Sequence, residues 1–130
     1  MIVVDASAVV DLLIDNGERG NWARAEVAGA DVLHAPHLVD YETVAATRRK
    51  VLARSISAQR GKQALDDLEA LPIQRYLAEP FVWRVWTLRH SVSGSDAFYI
   101  ALAEALDCPL VTTDGRLARS HGHDAVVRSP

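Results

Sequence analysis

The sequence predicts an α/β fold of three layers, α/β/α, with a central and mainly parallel sheet, in one domain over residues 1–130. Two observations carry this. The runs Ile2 to Asp5 and Pro109 to Thr113 are short, apolar and rich in β-branched residues, without alternation, as suits strands covered on both faces. Such runs alternate with longer segments of helical character, the order that builds a parallel sheet with helices packed on it. With 130 residues, 49% of them hydrophobic, the chain is long enough for one core and too short for two.

The elements follow in order. Ile2 to Asp5 is the first strand, Ser7 to Ile14 a short helix, and Asn21 to Gly29 a second helix ending in glycine. Asp31 to Ala35 is a brief strand, and Pro36 starts a long helix to about Arg54. Ser57 caps a helix to Leu71, and a strand covers Ile73 to Leu77. Pro80 sits in the first turn of a helix to His90. Ser93 to Leu106 is apolar on nearly every face and so a buried helix. Pro109 to Thr113, Arg116 to His121 and Ala125 to Arg128 close the chain as strand, short helix and strand.

Composition narrows the function classes. The formal net charge of −3 is not the footprint of a strongly basic nucleic-acid binder, though local patches can still bind phosphate. The single cysteine, Cys108, excludes an internal disulfide framework and fits a reducing compartment. No charged segment followed by an apolar one opens the chain, and no apolar run reaches membrane-spanning length, so a soluble cytoplasmic protein is expected. The chain lacks GxGxxG and GxxxxGK[ST] phosphate loops. His34, His37, His121 and His123 have no cysteine pair near them to suggest zinc.

Four acids stand out. Asp5 and Asp114 each end a strand, and ligands of such sheets sit outside the carboxyl ends of the strands. Asp96 lies in the first turn of the buried helix, where the helix dipole favours a carboxylate. Glu42 falls close to the apolar stripe of the long helix marked by Val39 and Ala46, whereas Asp40 points about 200° away. Each has a structural role open to it: Asp5 and Asp114 as helix caps, Asp96 in an S-x-x-D box with Ser93, and Glu42 as an ion-pair partner. Gathered together they would repel, by about 4 kcal/mol for two carboxylates 4 Å apart at an effective dielectric near 20. The only lysines are Lys50 and Lys62, so a divalent cation is the economical counter-charge. Ligands that are all oxygen favour Mg²⁺ or Mn²⁺.

The stretches MIVVDASAVVDLL, YETVAATRR and SDAFYIALAEALDCPLVTTDGRL resemble the PIN-domain ribonucleases, and more narrowly the VapC toxins of bacterial toxin–antitoxin pairs. The resemblance spans essentially the whole chain. It implies an acidic site of Asp5, Glu42, Asp96 and Asp114, which would be both metal-binding and catalytic, in a Mg²⁺- or Mn²⁺-dependent endoribonuclease. Asp5 and Asp96 would be the main ligands, with Glu42 or Asp114 orienting or deprotonating the attacking water. Ser7 and Thr112 match small hydroxyl positions beside that site and, with Arg49 and Arg116, are expected to contact substrate. Arg48, Lys50, Arg54 and Arg119 suit a solvated surface as well as a phosphate patch. Arg116 stands where some members carry a further acid or asparagine, which leaves a second, weaker metal site unsupported.

The resemblance further implies an RNA substrate, a cognate VapB-like antitoxin, a homodimer and no membrane. Phe81, Trp83, Trp86 and Trp22 are interface or core aromatics, and the helices from Ser7 to Gly29 with the Pro36 helix are the expected antitoxin groove. The competing reading is a catalytically silent PIN-fold module that binds RNA or protein. The four acids count against it, since a module without chemistry has no need to keep mutually repelling carboxylates.

Overall fold

A computed structural model describes residues Met1–Pro130. The chain runs β1 (Ile2–Val4), α1 (Ala6–Ile14), α2 (Glu18–Ala28), β2 (Leu33–Pro36), α3 (Leu38–Leu52), α4 (Ala58–Ala70) and β3 (Ile73–Tyr76). A 3₁₀ turn (Glu79–Phe81) leads into α5 (Val82–Thr87), α6 (Gly94–Leu106), β4 (Leu110–Val111), α7 (Gly115–Ala118) and β5 (Val127–Arg128). The five strands form one sheet in the order β3-β2-β1-β4-β5, and every pair is parallel. Successive side chains of β1 point to opposite faces, yet Ile2, Val3 and Val4 are all buried, so helices cover both faces.

That strand order fixes where a site can form. From β1 the chain winds outward through β2 and β3, then returns to lay β4 and β5 on β1's other side. The crevice at such a reversal opens at the carboxyl ends of the two central strands. Here those are β1 and β4, paired Val3 to Leu110 and Val4 to Val111. The residues following them include Asp5 and Asp114.

Two helical groups frame the crevice. α6 lies on β1, β2 and β4 and also takes α5. Its Ala97, Tyr99, Ile100, Ala101, Leu102 and Ala103 are all buried, which holds the helix against the sheet. α1 collects α2, α3 and α4, and its C-terminal carbonyls are tied by arginines from two of them. Arg24 donates to Leu12 O at 2.8 Å and Asp15 O at 2.9 Å, and Arg60 donates to Leu13 O. Those are carbonyls that a helix end otherwise leaves unpaired.

Several elements differ from the sequence expectation. Pro36 closes β2 opposite Tyr76 and does not open the helix, because His37 N–H still pairs with Tyr76 O at 2.9 Å. The helix therefore starts at Leu38. α2 begins three residues early, since Asp15 Oδ2 accepts the Gly20 N–H at 2.8 Å and organises its first turn. The helix expected from Pro80 to His90 splits into the 3₁₀ turn and the six-residue α5. Trp22 and Phe81 pack against the core, whereas Trp83 and Trp86 are exposed. Leu13, on one of the helices of the expected antitoxin groove, is a core residue.

The α1–α2 crossing depends on one residue without a side chain. A Cβ on Gly20 would lie 1.9 Å from Asp15 O and 2.8 Å from Asp11 O, both backbone atoms. Gly20→Ala should therefore destabilise the protein by about 2 kcal/mol or more. Gly94, in the first turn of α6, has open space around it, and Gly94→Ala should be neutral or stabilising by about 0.5 kcal/mol. Urea melts of both variants measure the difference; equal stability would contradict the close crossing.

Candidate functional site

Asp5 leaves β1 and caps α1, its Oδ1 accepting the Ala8 N–H at 2.9 Å. The small Ser7 lies one step into that helix, and its hydroxyl donates back to the same carboxylate at 2.7 Å. From the neighbouring strand end, Thr112 donates to Asp5 Oδ2 at 2.5 Å. The two hydroxyls also accept: Ser7 Oγ from the Thr113 N–H at 3.1 Å, and Thr112 Oγ1 from the Asp114 N–H at 3.0 Å. The backbone leading to Asp114 is thus pinned to the groups that hold Asp5. Asp114 then caps α7 through Arg116 N–H at 2.8 Å.

The other acids arrive from helices. Asp96 is in the first turn of α6 and accepts from Ser93 Oγ at 3.0 Å. Glu42 projects from α3 and accepts from the Tyr99 hydroxyl at 2.7 Å. Asp40 faces the opposite way, in a two-pronged pair with Arg75 at 2.6 and 2.8 Å. Asp5, Glu42, Asp96 and Asp114 all line one open cleft of about 640 Å³.

Substrate-side expectations divide. Arg49 and Arg116 line the cleft, Arg49 two turns along α3 from Glu42 on the same face, with Ala46 between them. Arg48, Lys50, Arg54 and Arg119 do not line it. Thr112 is fully buried, donates to Asp5 and is not among the residues that line the cleft. Ser7 lines the cleft, but its proton also goes to Asp5.

Sequence reading missed three cleft residues. Asp11 is buried and accepts from Thr113 Oγ1 at 2.6 Å; it lies one turn after Ser7 and is the only charged residue of an otherwise apolar helix, a usable signal. Arg19 lines the cleft 3.5 Å from Asp11, placed there by the α1–α2 turn, which no local pattern announces. Tyr99 reads as core and is core, apart from the hydroxyl that reaches Glu42. Of the histidines, His34 is buried with Nδ1 2.9 Å from the Tyr76 hydroxyl, and His123 Nε2 lies 2.9 Å from Ser120 Oγ. Cys108 is a buried free thiol whose pKa burial raises, an inert packed group.

The electrostatics identify the strained member. Burial pushes the Asp5 carboxyl from 3.8 up to about 6, despite donors from Thr112, Ala8 and Ser7 that favour the charged form, and the Asp96 charge adds to the rise. Five carboxylates line the cleft against three guanidiniums. The donor set is oxygen throughout, which suits a hard divalent cation. No three acidic, histidine or cysteine side chains converge as direct ligands of one ion, so the fit is to a cation touched by few carboxylates and otherwise hydrated.

Linkage gives this a sign. An acid whose folded pKa exceeds its unfolded value stabilises the fold below the unfolded pKa, and that contribution is lost as pH rises through the folded one. For Asp5 the window is pH 4 to 6, and two units correspond to about 3 kcal/mol. In chelator, the wild type should lose about that much more stability between pH 4 and 7 than Asp5→Asn does, measured by denaturant melts. Parallel profiles would contradict the assignment.

The PIN domain family model matches residues 2–121. Ribonuclease VapC12 of Mycobacterium tuberculosis is 39% identical over 127 residues, covering 98% of this chain and 97% of its own. Ribonuclease VapC1 of the same organism is 45% identical over 121 residues, covering 92% and 90%. Among solved structures, PAE2754 of Pyrobaculum aerophilum matches with a TM-score of 0.69 at 24% identity, over 97% of this chain and 82% of that one. VapC20 of M. tuberculosis, described as a sarcin–ricin loop cleaving toxin, matches with a TM-score of 0.67 at 21% identity, over 97% and 98%. No helix is long and apolar enough to cross a membrane. The match over residues 2–121, together with relatives 39–45% identical over nearly the whole chain, shows that the chain belongs to the PIN domain family.

Proposed function

We propose that this protein is a Mg²⁺- or Mn²⁺-dependent endoribonuclease, the toxin of a toxin–antitoxin pair, restrained by a cognate antitoxin protein. The reading rests on one observation above others: Asp5 and Asp114 follow adjacent strands at the sheet's reversal and share a single cleft with Asp96 and Glu42. Relatives named as ribonucleases, at 39–45% identity over nearly the whole chain, support the substrate class.

Asp5 and Asp96 would hold the cation, with Asp114 and Glu42 reaching it through water. When bound, the cation supplies a more acidic water and offsets charge on the phosphoryl oxygens. The protein's own groups do the rest. Ser7 and Thr112 keep the Asp5 carboxylate in one orientation by donating to both of its oxygens. Glu42 or Asp114 accepts a proton from the water that attacks phosphorus. Arg49, Arg116 and Arg19, from three different elements around the rim, contact phosphates and set the strand's path across the cleft.

The partners proposed are RNA, a VapB-like antitoxin and a second copy of the chain, in the reducing cytoplasm. For protein contact the exposed apolar groups include Trp83 and Trp86 of α5, Tyr41 and Leu77.

RNA cleavage by the purified protein tests the proposal. Activity with Mn²⁺ should vanish in chelator, and Asp96→Ala should lower the rate by about 100-fold or more while melting near the wild type. Undiminished cleavage by folded Asp96→Ala, or by the wild type in chelator, would refute it.

A further inference from the structure

We propose that Tyr99 is a positioning residue for Glu42: its phenol fixes one carboxylate oxygen of Glu42 and so directs the other into the cleft. The inference deepens the nuclease reading above and rests on it.

Tyr99 is buried to 1% exposure, yet it borders the cleft through its hydroxyl. It lies three residues after Asp96 on α6, so both project from the same side of that helix. Asp96 enters the cleft directly, while Tyr99 reaches beneath it to α3 and donates to Glu42 Oε1 at 2.7 Å. A neutral donor on a carboxylate at that distance is a charge-assisted bond. It is the only hydrogen bond the protein makes to the Glu42 carboxylate, and it joins the two helices that carry the α3 and α6 acids.

The chemistry of the pair explains why this position holds a tyrosine. A core aromatic needs no hydroxyl for packing, and a buried hydroxyl without a partner is costly. Glu42 has three rotatable side-chain bonds, and without a partner its carboxylate would sweep the cleft wall. The Tyr99 hydroxyl has its hydrogen aimed at Glu42 Oε1, so in this geometry it serves as a donor. It restricts Glu42 to one arrangement, with Oε1 engaged and Oε2 left for a water or an ion. Restricting a reacting carboxylate in this way raises the fraction of encounters with correct geometry.

The test uses the full chain as wild type, Tyr99→Phe, Glu42→Gln and the double variant. Two quantities are read: the Mn²⁺ dissociation constant by calorimetry, and the kcat and KM for a single-stranded RNA. Tyr99→Phe should melt within a few degrees of the wild type, weaken Mn²⁺ binding about 10-fold and lower kcat about 10-fold, with KM unchanged. In the Glu42→Gln background the same substitution should change neither quantity. Tyr99→Phe indistinguishable from wild type, or equal losses with and without Glu42, would overturn the inference and leave the nuclease reading standing. A wild type that neither binds Mn²⁺ nor cuts RNA would overturn both. If Tyr99→Phe does not fold, Glu42→Asp, which draws the carboxylate out of the phenol's reach, must reproduce the loss; full affinity and activity there would also overturn it.

Discussion

The structure turns on the contact between Asp5 and the hydroxyls of Ser7 and Thr112. Asp5 ends β1, Thr112 ends β4, and these strands are neighbours because the sheet reverses its winding between them. A carboxylate at that point is buried and pays heavily for its charge, shown by a pKa near 6 even with three donors. The same hydroxyls accept from the backbone of Thr113 and Asp114, so holding Asp5 also sets the β4–α7 connection. Thr113 extends the tie to Asp11 on α1. One polar cluster thus closes the fold at the crevice and aims two of its acids.

Capping and site-building are therefore not alternatives in this protein. Asp5 and Asp114 satisfy helix amides, as their sequence context suggests, and both line the cleft. Asp96 belongs to the first turn of a helix anchored by a largely apolar, buried body. The positive ends of α1 and α6 face this region and soften the repulsion among the acids. Burial, more than the neighbouring Asp96 charge, still pushes the Asp5 carboxyl up to about 6, and a divalent ion in the cleft would favour its charged form.

Much of this was legible in the residues, for physical reasons that can be named. Unalternating β-branched runs announced strands buried on both faces, and the apolar body of α6 announced a helix locked to the sheet. Helical geometry alone separated Glu42 from Asp40, and the Arg75 pair on the far side explains Asp40. Long-range effects were not legible. Pro36 resembles a helix start locally but continues a strand because β3 pairs beyond it. Arg19 reaches the cleft only because Gly20 lets α2 cross tightly over α1. Trp83 and Trp86, three residues apart, share the outward face of α5, while Val85 and Leu88 pack toward the core.

The central claim is that the cleft's carboxylates are arranged around one hydrated divalent ion. Crystals grown with Mn²⁺ and measured at a wavelength where manganese scatters anomalously test it most directly. One anomalous peak in the cleft beside Asp5 and Asp96, with water filling its remaining coordination, is the expected result. A map without a peak there at saturating Mn²⁺, or with manganese held only elsewhere on the molecule, would contradict the account.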